Sequence, residues 1–361
     1  EISLFSPHDV PGLYDAFGTP DFDELYVRFE SDDTVPRKTI NAQELILDLL
    51  KERAETGRLY LMNIDHCNTH SSFKDKVNMS NLCQEITLPT DPIRHIDDEA
   101  GEIALCILSA INVGKLRHVE DVEELCDLAV RGLEELIDYQ EYPVKAARRS
   151  TLSRRSLGIG YIGLAHYLAR HKVKYDSPEA WKLVHDLTEA FQYSLLKASN
   201  ELAKERGACD GFSRTKYADG ILPIDTYKKD VDELVANELN YDWESLRVSI
   251  TTHGLRHSTL SAQMPSESSS VVVMQKFFDQ AISGNWSYNP EQYPDNQVPV
   301  SVMANDFLNT YKYGWKTSYY QNTYDAKKDA DEDVDTKRNE LENLIKEIVT
   351  SEEDDCESCK I

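Results

Sequence analysis

Three things are scarce in this chain. No run of apolar residues approaches the roughly 20 that a membrane helix needs, so no membrane association is expected. Positive charge is scarce: 39 Lys and Arg stand against 64 Asp and Glu in 361 residues, a formal net charge of −25. Such a chain repels phosphate backbones and anionic lipid, which argues against bulk nucleic-acid binding but leaves room for one small anionic substrate. Cysteine is scarce too. Cys67, Cys83, Cys106, Cys126, Cys209, Cys356 and Cys359 are too few, and odd in number, for a secreted disulfide scaffold. A reducing, cytoplasmic setting with a few special thiols is expected. The start, Glu1-Ile2-Ser3-Leu4-Phe5, has no initiator Met, basic leader or long apolar stretch. The expectation is a piece of something longer, or a processed product, without a signal peptide.

What is present suits a sizeable core: 40% of the residues are apolar, and the length allows one large domain or two ordinary ones. Leu45, Ile46, Leu49 and Leu50 recur at helical spacing and predict a helix over 42–56, stopped by Gly57. Residues 58–63 read as a short buried strand and 64–80 as loop. Val122, Leu125, Cys126, Ala129, Leu133, Leu136 and Ile137 share one face of a predicted helix over 121–138. Another spans 179–206, ending at Gly207. Short apolar segments at 246–250 and 298–302 alternate with these helices, so an α/β architecture is expected. Residues 325–361 hold 14 acidic and 6 basic residues and are expected to form a mobile acidic tail beyond a body of 1–324. Within the tail, Leu341, Leu344, Ile345 and Ile348 predict a short helix that needs a partner surface.

Several constellations could carry chemistry. In an extended segment, Asn81, Cys83 and Glu85 would face the same way and offer an amide, a sulfur and a base; a buried structural Cys between surface residues is the plainer alternative. Cys106 lies in an apolar run and taken alone reads as core. Cys356 and Cys359 form a CxxC pair able to exchange disulfides, here on an acidic tail rather than beside a βαβ unit; a half zinc site would need two more ligands. Tyr319 and Tyr320 are adjacent and by themselves read as strand packing. Pro265, Ser266, Glu267, Ser268 and Ser269 resemble a capped helix start, whose free N–H groups and hydroxyls would suit a phosphate.

Two motifs invite over-reading. Gly158-Ile-Gly160-Tyr-Ile-Gly163 matches a dinucleotide fingerprint, but no convincing strand precedes it and no acidic partner follows. His66, Cys67 and His70 suggest a metal hydrolase, yet they crowd one short loop without a second cluster. A loop held by its own hydrogen bonds fits better, and no metal site is expected.

Taken in order, SLFSPHDVPGLYDAF, DHCNTHS, SNLCQEI, GEIALCILSAIN, LLKASNELAKE, GILPIDTYKKD, THGLRHSTLSAQMPSESSS, KTSYYQNT and the terminal CESCKI span nearly the whole chain. They resemble the C-terminal half of the class I ribonucleotide reductase large subunit. The resemblance implies the second half of a ten-stranded α/β barrel, with an internal finger loop carrying a radical cysteine. It implies that Cys83 becomes a thiyl radical that abstracts the ribose 3′ hydrogen, that Glu85 is the base for the 3′-hydroxyl, and that Asn81 holds the substrate hydroxyls. Cys106 is implied to be one of two cysteines that reduce the 2′ position. Tyr319 and Tyr320 are implied to relay the radical, residues 265–269 to hold the substrate diphosphate, and Cys356 and Cys359 to re-reduce the active-site disulfide. No cofactor is implied in this chain; a diferric-tyrosyl or similar metal-radical centre belongs to a separate small subunit. The other partners implied are a ribonucleoside diphosphate, the N-terminal half of the large subunit, thioredoxin or glutaredoxin, and further copies in a homo-oligomer.

The chain departs from the family in three places. The N-terminal half is absent, and with it the partner of Cys106. After Val273 the family runs on through an NATNGIEP-like loop, whereas here Met274-Gln-Lys-Phe-Phe-Asp279 follows directly. The last two cysteines are spaced CxxC, closer than usual. The loss after Val273 favours the alternative of an inactive fragment that only docks the small subunit or thioredoxin, whereas intact Asn81, Cys83, Glu85 and the tyrosine pair favour the enzyme component.

Overall fold

The computed structural model describes residues 1–236 and 238–323. The tail 325–361, with Cys356 and Cys359, lies outside the described residues.

A peripheral unit comes first. Strands β1 (Ile2–Phe5) and β2 (Arg37–Ile40) pair antiparallel around helices α1 (Leu13–Ala16) and α2 (Asp21–Glu30). Helix α3 (Ala42–Thr56) follows. The Asn41 side chain accepts from Gln43 and Glu44 N–H at its start, and Gly57 ends it at φ 67°. The short strand β3 (Leu61–Met62) leads into helix α4 (Ile64–Thr69), where loop was expected.

The body is a parallel array. Strand β4 (Ile107–Asn112) pairs parallel with β5 (Leu157–Ile162). Between them lie α5 (Asp121–Tyr139) and α6 (Lys145–Arg154); after β5 come α7 (Leu164–Arg170), α8 (Pro178–Arg206), α9 (Pro223–Thr226) and α10 (Trp243–His253). Residues 259–263 then run beside β5, with Ile159 N–H donating to the Leu260 carbonyl at 2.9 Å. Residues 280–283 run beside that segment, with Ser283 N–H on the Gln263 carbonyl at 2.9 Å, and continue into β6 (Gly284–Tyr288). Helix α11 (Val300–Lys312) leads to β7 (Thr317–Thr323), parallel to β6 and antiparallel to β3. Five parallel segments therefore follow one another: β4, β5, 259–263, 280–288 and β7. The expected mixed α/β architecture holds.

The core lies between this array and its helices. Helix α8 begins with Ser177 capping Ala180 N–H and Pro178 in the first turn. It buries Val184, Phe191, Leu195 and Leu202 in the same cluster as Val122, Cys126 and Val130 of α5. Strand β5 is buried from Leu157 to Tyr161, as a strand covered on both faces must be. Among the described residues no helix is long and apolar enough to cross a membrane.

Two segments read as strand-like are helical. Leu246 and Ile250 are four residues apart and buried, while Val248 between them is 65% exposed; this is the spacing of α10. The run at 298–302 straddles Pro299, which starts α11 instead of extending a strand.

Candidate functional site

The segment carrying Asn81, Cys83 and Glu85 is a turn, not the extended run expected. Gln84 N–H donates to the Asn81 carbonyl at 3.1 Å, and Gln84 takes a left-handed φ of 64°. The turn still brings the three side chains together. Asn81 Nδ2 donates to Glu85 Oε2 at 2.9 Å, and Asn81 Oδ1 accepts from Ile86 N–H at 3.1 Å. Glu85 is buried, and its carbonyl takes the Ala281 N–H at 3.0 Å. Ser283 Oγ donates to the Cys83 carbonyl and lies 3.3 Å from Glu85 Oε2. Glu85 is thus fixed through one oxygen, while Oε1 makes no hydrogen bond among the described residues.

Strand β7 delivers the tyrosines. The Tyr319 hydroxyl is 3.6 Å from the half-buried Cys83 sulfur. The Tyr319 and Tyr320 ring centroids are 4.1 Å apart. A third ring completes the cluster: Tyr60 sits 4.8 Å from Tyr319 and 5.6 Å from Tyr320. Sequence reasoning missed Tyr60. The antiparallel register of β3 on β7, with Leu61 opposite Ser318, carries it there, and only an aromatic beside a short strand could have hinted at it. Burial holds the Tyr319 phenol well above its ordinary range, reinforced by its contacts with Tyr320 and Cys83. Hydrogen bonds from Tyr319 and Tyr60 pull Tyr320 the other way.

Cys106 sits just before β4, half-buried, with its sulfur 3.7 Å from Gln280 Nε2. Burial pushes this thiol up to about 12. Residues 280–283 thus touch all three groups: Gln280 reaches Cys106, Ala281 the Glu85 backbone, and Ser283 both Cys83 and Glu85.

The serine-rich segment departs from expectation. Glu267–Ser269 is a single 3-10 turn, and Ser266 makes no side-chain cap. Ser266 Oγ instead accepts from Gln263 Nε2 at 3.2 Å, Ser269 Oγ from Leu164 N–H at 3.3 Å, and the Ser268 carbonyl from the Tyr175 hydroxyl at 2.6 Å. The sequence lacks the periodic apolar face a longer helix would need here. Pro265 and Ser266 are half-buried, Ser268 is exposed and Ser269 buried.

The over-readable motifs resolve structurally. Gly158 and Gly160 lie inside β5, where a Cβ on Gly160 would stand 2.6 Å from the Ala262 carbonyl oxygen. These glycines serve close strand packing. His66 Nδ1 contacts the Trp315 carbonyl at 3.0 Å, His70 Nδ1 contacts Thr226 Oγ1 at 2.9 Å, and Cys67 is buried beside the Lys316 carbonyl. The segment is held both by these neighbours and by its own bonds, as expected: Asn68 Nδ2 donates to the Ile64 carbonyl at 2.8 Å, and Asn68 Oδ1 accepts from Val77 N–H at 2.8 Å. His185, Asp186 and Glu189 are spaced like metal ligands. However, Glu189 already accepts from the N–H groups of Asn240, Tyr241 and Trp243, and Asp186 from Lys182.

The parallel strand array thus brings a buried carboxylate, a thiol and a tyrosine cluster together around one turn. The ribonucleotide reductase barrel-domain profile matches residues 1–275, and the chain belongs to that family. It is 50% identical to the ribonucleoside-diphosphate reductase subunit alpha of Haemophilus influenzae, over 93% of this chain and 52% of that protein. It is 45% identical to ribonucleoside-diphosphate reductase 1 subunit alpha of Escherichia coli, over 100% of this chain and 54% of that protein. The subunit alpha of Enterobacteria phage T4 is 34% identical, with the same coverage. The chain therefore spans about half the length of these relatives. The alignment to the E. coli subunit runs over 423 positions against 361 residues here, so the relative carries residues this chain lacks.

Proposed function

We propose that this chain supplies the radical-bearing half of a ribonucleoside-diphosphate reductase large subunit, converting ribonucleotides to 2′-deoxyribonucleotides. The observation that carries the reading is the contact between the Tyr319 hydroxyl and the Cys83 sulfur. Tyr320, Tyr319 and Cys83 form a short path for an electron and its proton. The radical originates at a metal-radical centre in a separate small subunit, which supplies one-electron oxidation when bound. On this reading Cys83 as thiyl takes the 3′ hydrogen, forming its S–H bond and leaving a carbon radical. Glu85, fixed through Oε2, receives the 3′-hydroxyl proton on Oε1. Asn81 orients both. Cys106 and a cysteine of the N-terminal half donate two electrons and two protons to the 2′ position and end as a disulfide. A dithiol then reduces that disulfide; Cys356 and Cys359 are assigned this role, resupplied by thioredoxin or glutaredoxin.

The five parallel segments are inferred to be half of a closed ten-stranded barrel, with the Cys83 turn as its finger loop and the N-terminal half completing it. Residues 265–269 are assigned the diphosphate of the substrate, with Pro265 and Glu267 flanking the serines. A homo-oligomeric holoenzyme in the cytoplasm completes the proposal. The test is co-expression with an N-terminal half and the small subunit, followed by nucleoside-diphosphate reduction with wild type and Cys83→Ser. Turnover that Cys83→Ser abolishes supports the reading. Turnover that survives it, or none in the wild-type assembly, overturns it.

A further inference from the structure

Gln280 has no part in the roles above, yet it is fully buried against a reacting sulfur. Its Oε1 accepts from Thr87 N–H at 3.2 Å, and its Nε2 donates to the Leu157 carbonyl at 2.9 Å. These two backbone partners dictate which end of the amide is which, because an N–H must meet the oxygen and a carbonyl must meet the NH2. The contact of Nε2 with Cys106 Sγ at 3.7 Å is therefore a donor contact.

The backbone around Gln280 is clamped as well. Its carbonyl accepts from Lys316 Nζ at 2.7 Å and from Gln275 Nε2 at 3.1 Å, and the same ammonium holds the Asp279 carbonyl at 3.0 Å. On the other side of the sulfur, Gly158 leaves it room: a Cβ there would stand 3.0 Å from Sγ. Burial disfavours a thiolate at Cys106, and the Asp279 and Glu85 carboxylates add to that; the Gln280 amide acts in the opposite direction.

We propose that Gln280 is a further catalytic residue, whose amide N–H steadies the negative charge that gathers on Cys106 Sγ during thiol–disulfide exchange. The proposal rests on the role given to Cys106 above. In the step, the thiolate of an incoming dithiol attacks the sulfur bonded to Cys106. The new S–S bond forms, the old one breaks, and its electron pair leaves on Cys106 Sγ beside the amide, to be protonated afterwards. The second thiol of the reductant then resolves the mixed disulfide, so the dithiol is oxidised and both active-site thiols are restored. A leaving sulfur met by a fixed donor departs faster.

The test uses the full chain and needs no turnover. Iodoacetamide modification of Cys106 is followed by peptide mass spectrometry at one mildly alkaline pH, with Cys83 as internal reference. Wild type is compared with Gln280→Met, which keeps the volume and loses the donor. Gln280→Glu keeps the Thr87 acceptor and replaces the donor with a carboxylate. Loss of a hydrogen bond to a charged group predicts Cys106 slowed by about tenfold or more in Gln280→Met, and at least as much in Gln280→Glu, with Cys83 unchanged. An unchanged Cys106 rate, or equal changes at both thiols, would overturn the proposal. If Gln280→Met does not fold, Gln280→Glu decides by the same criterion. Failure of the reductase assay leaves this thiol measurement intact, so the two readings fail separately.

Discussion

The Tyr319 hydroxyl and the Cys83 sulfur, 236 residues apart in sequence, lie 3.6 Å apart in the fold. A strand and a turn achieve this together. Strand β7 holds the phenol at a buried position, and Ser283 holds the turn through the Cys83 carbonyl. Removing either anchor should separate the pair's chemistry from the fold that carries it.

Tyr319→Phe deletes only the hydroxyl. In the co-expressed holoenzyme, nucleotide reduction should drop by a factor on the order of 10² to 10⁴, the range for loss of a positioned proton-transfer partner. The circular dichroism spectrum should not change. Near-wild-type turnover in this variant would sink the proposed path.

Ser283→Ala removes the link from the strand to the Cys83 carbonyl and to Glu85 Oε2. A lost hydrogen bond of about 1–2 kcal/mol corresponds to roughly 5- to 30-fold, expected in kcat with KM little changed. Ser283→Thr keeps the hydroxyl and should recover most of the rate. A change confined to KM would contradict the positioning role.

Glu134 on α5 is completely buried and accepts from Arg155 at 2.8 Å, Arg256 at 2.6 Å and His257 at 3.0 Å. Burial alone would raise its carboxyl, but the hydrogen bonds from these three residues outweigh it and hold the group well below the usual carboxylate range. A depressed folded-state value contributes stability that is full above the unfolded value, about 4.3, and is lost as pH falls through the folded one. Glu134→Gln should cost about 3–5 kcal/mol near neutral pH, and the gap to wild type should narrow in acid. Urea unfolding across pH checks this; parallel stability curves would contradict it.

Gly160→Ala places a methyl 2.6 Å from the Ala262 carbonyl oxygen and should destabilise by about 1–3 kcal/mol. Gly132→Ala on α5 meets nothing within 4 Å and should stabilise by about 0.4–1 kcal/mol. Thermal unfolding of the pair tests the packing role of the strand glycines. If Gly160→Ala proved neutral, a ligand-contact role for the fingerprint would return.

Much of the helical framework was legible in the residues themselves. The spacing around Leu45 and Leu49 with its stop at Gly57, the apolar face of α5, and the long stretch over 179–206 ended by Gly207 are local signals that the structure keeps. The same logic failed at 246–250, because a short apolar run fits a strand or a buried helix face equally well until Val248 is known to face solvent. It also failed at the serine-rich segment, where the turn residues satisfy partners far away in sequence.

By itself, the sequence determined the chain's class and the chemical inventory of its site: a thiol, a carboxylate and an amide within five residues, two adjacent phenols, and the family to which their order belongs. Only the tertiary structure decided how they meet. The amide–carboxylate pairing depends on a left-handed Gln84, Tyr60 enters through the register of β3 on β7, and one parallel segment brings Gln280 to the Cys106 sulfur and Ser283 to the Cys83 carbonyl. Strand register and long-range loop contacts are set by the packing of the whole array, and no local window of residues carries that information.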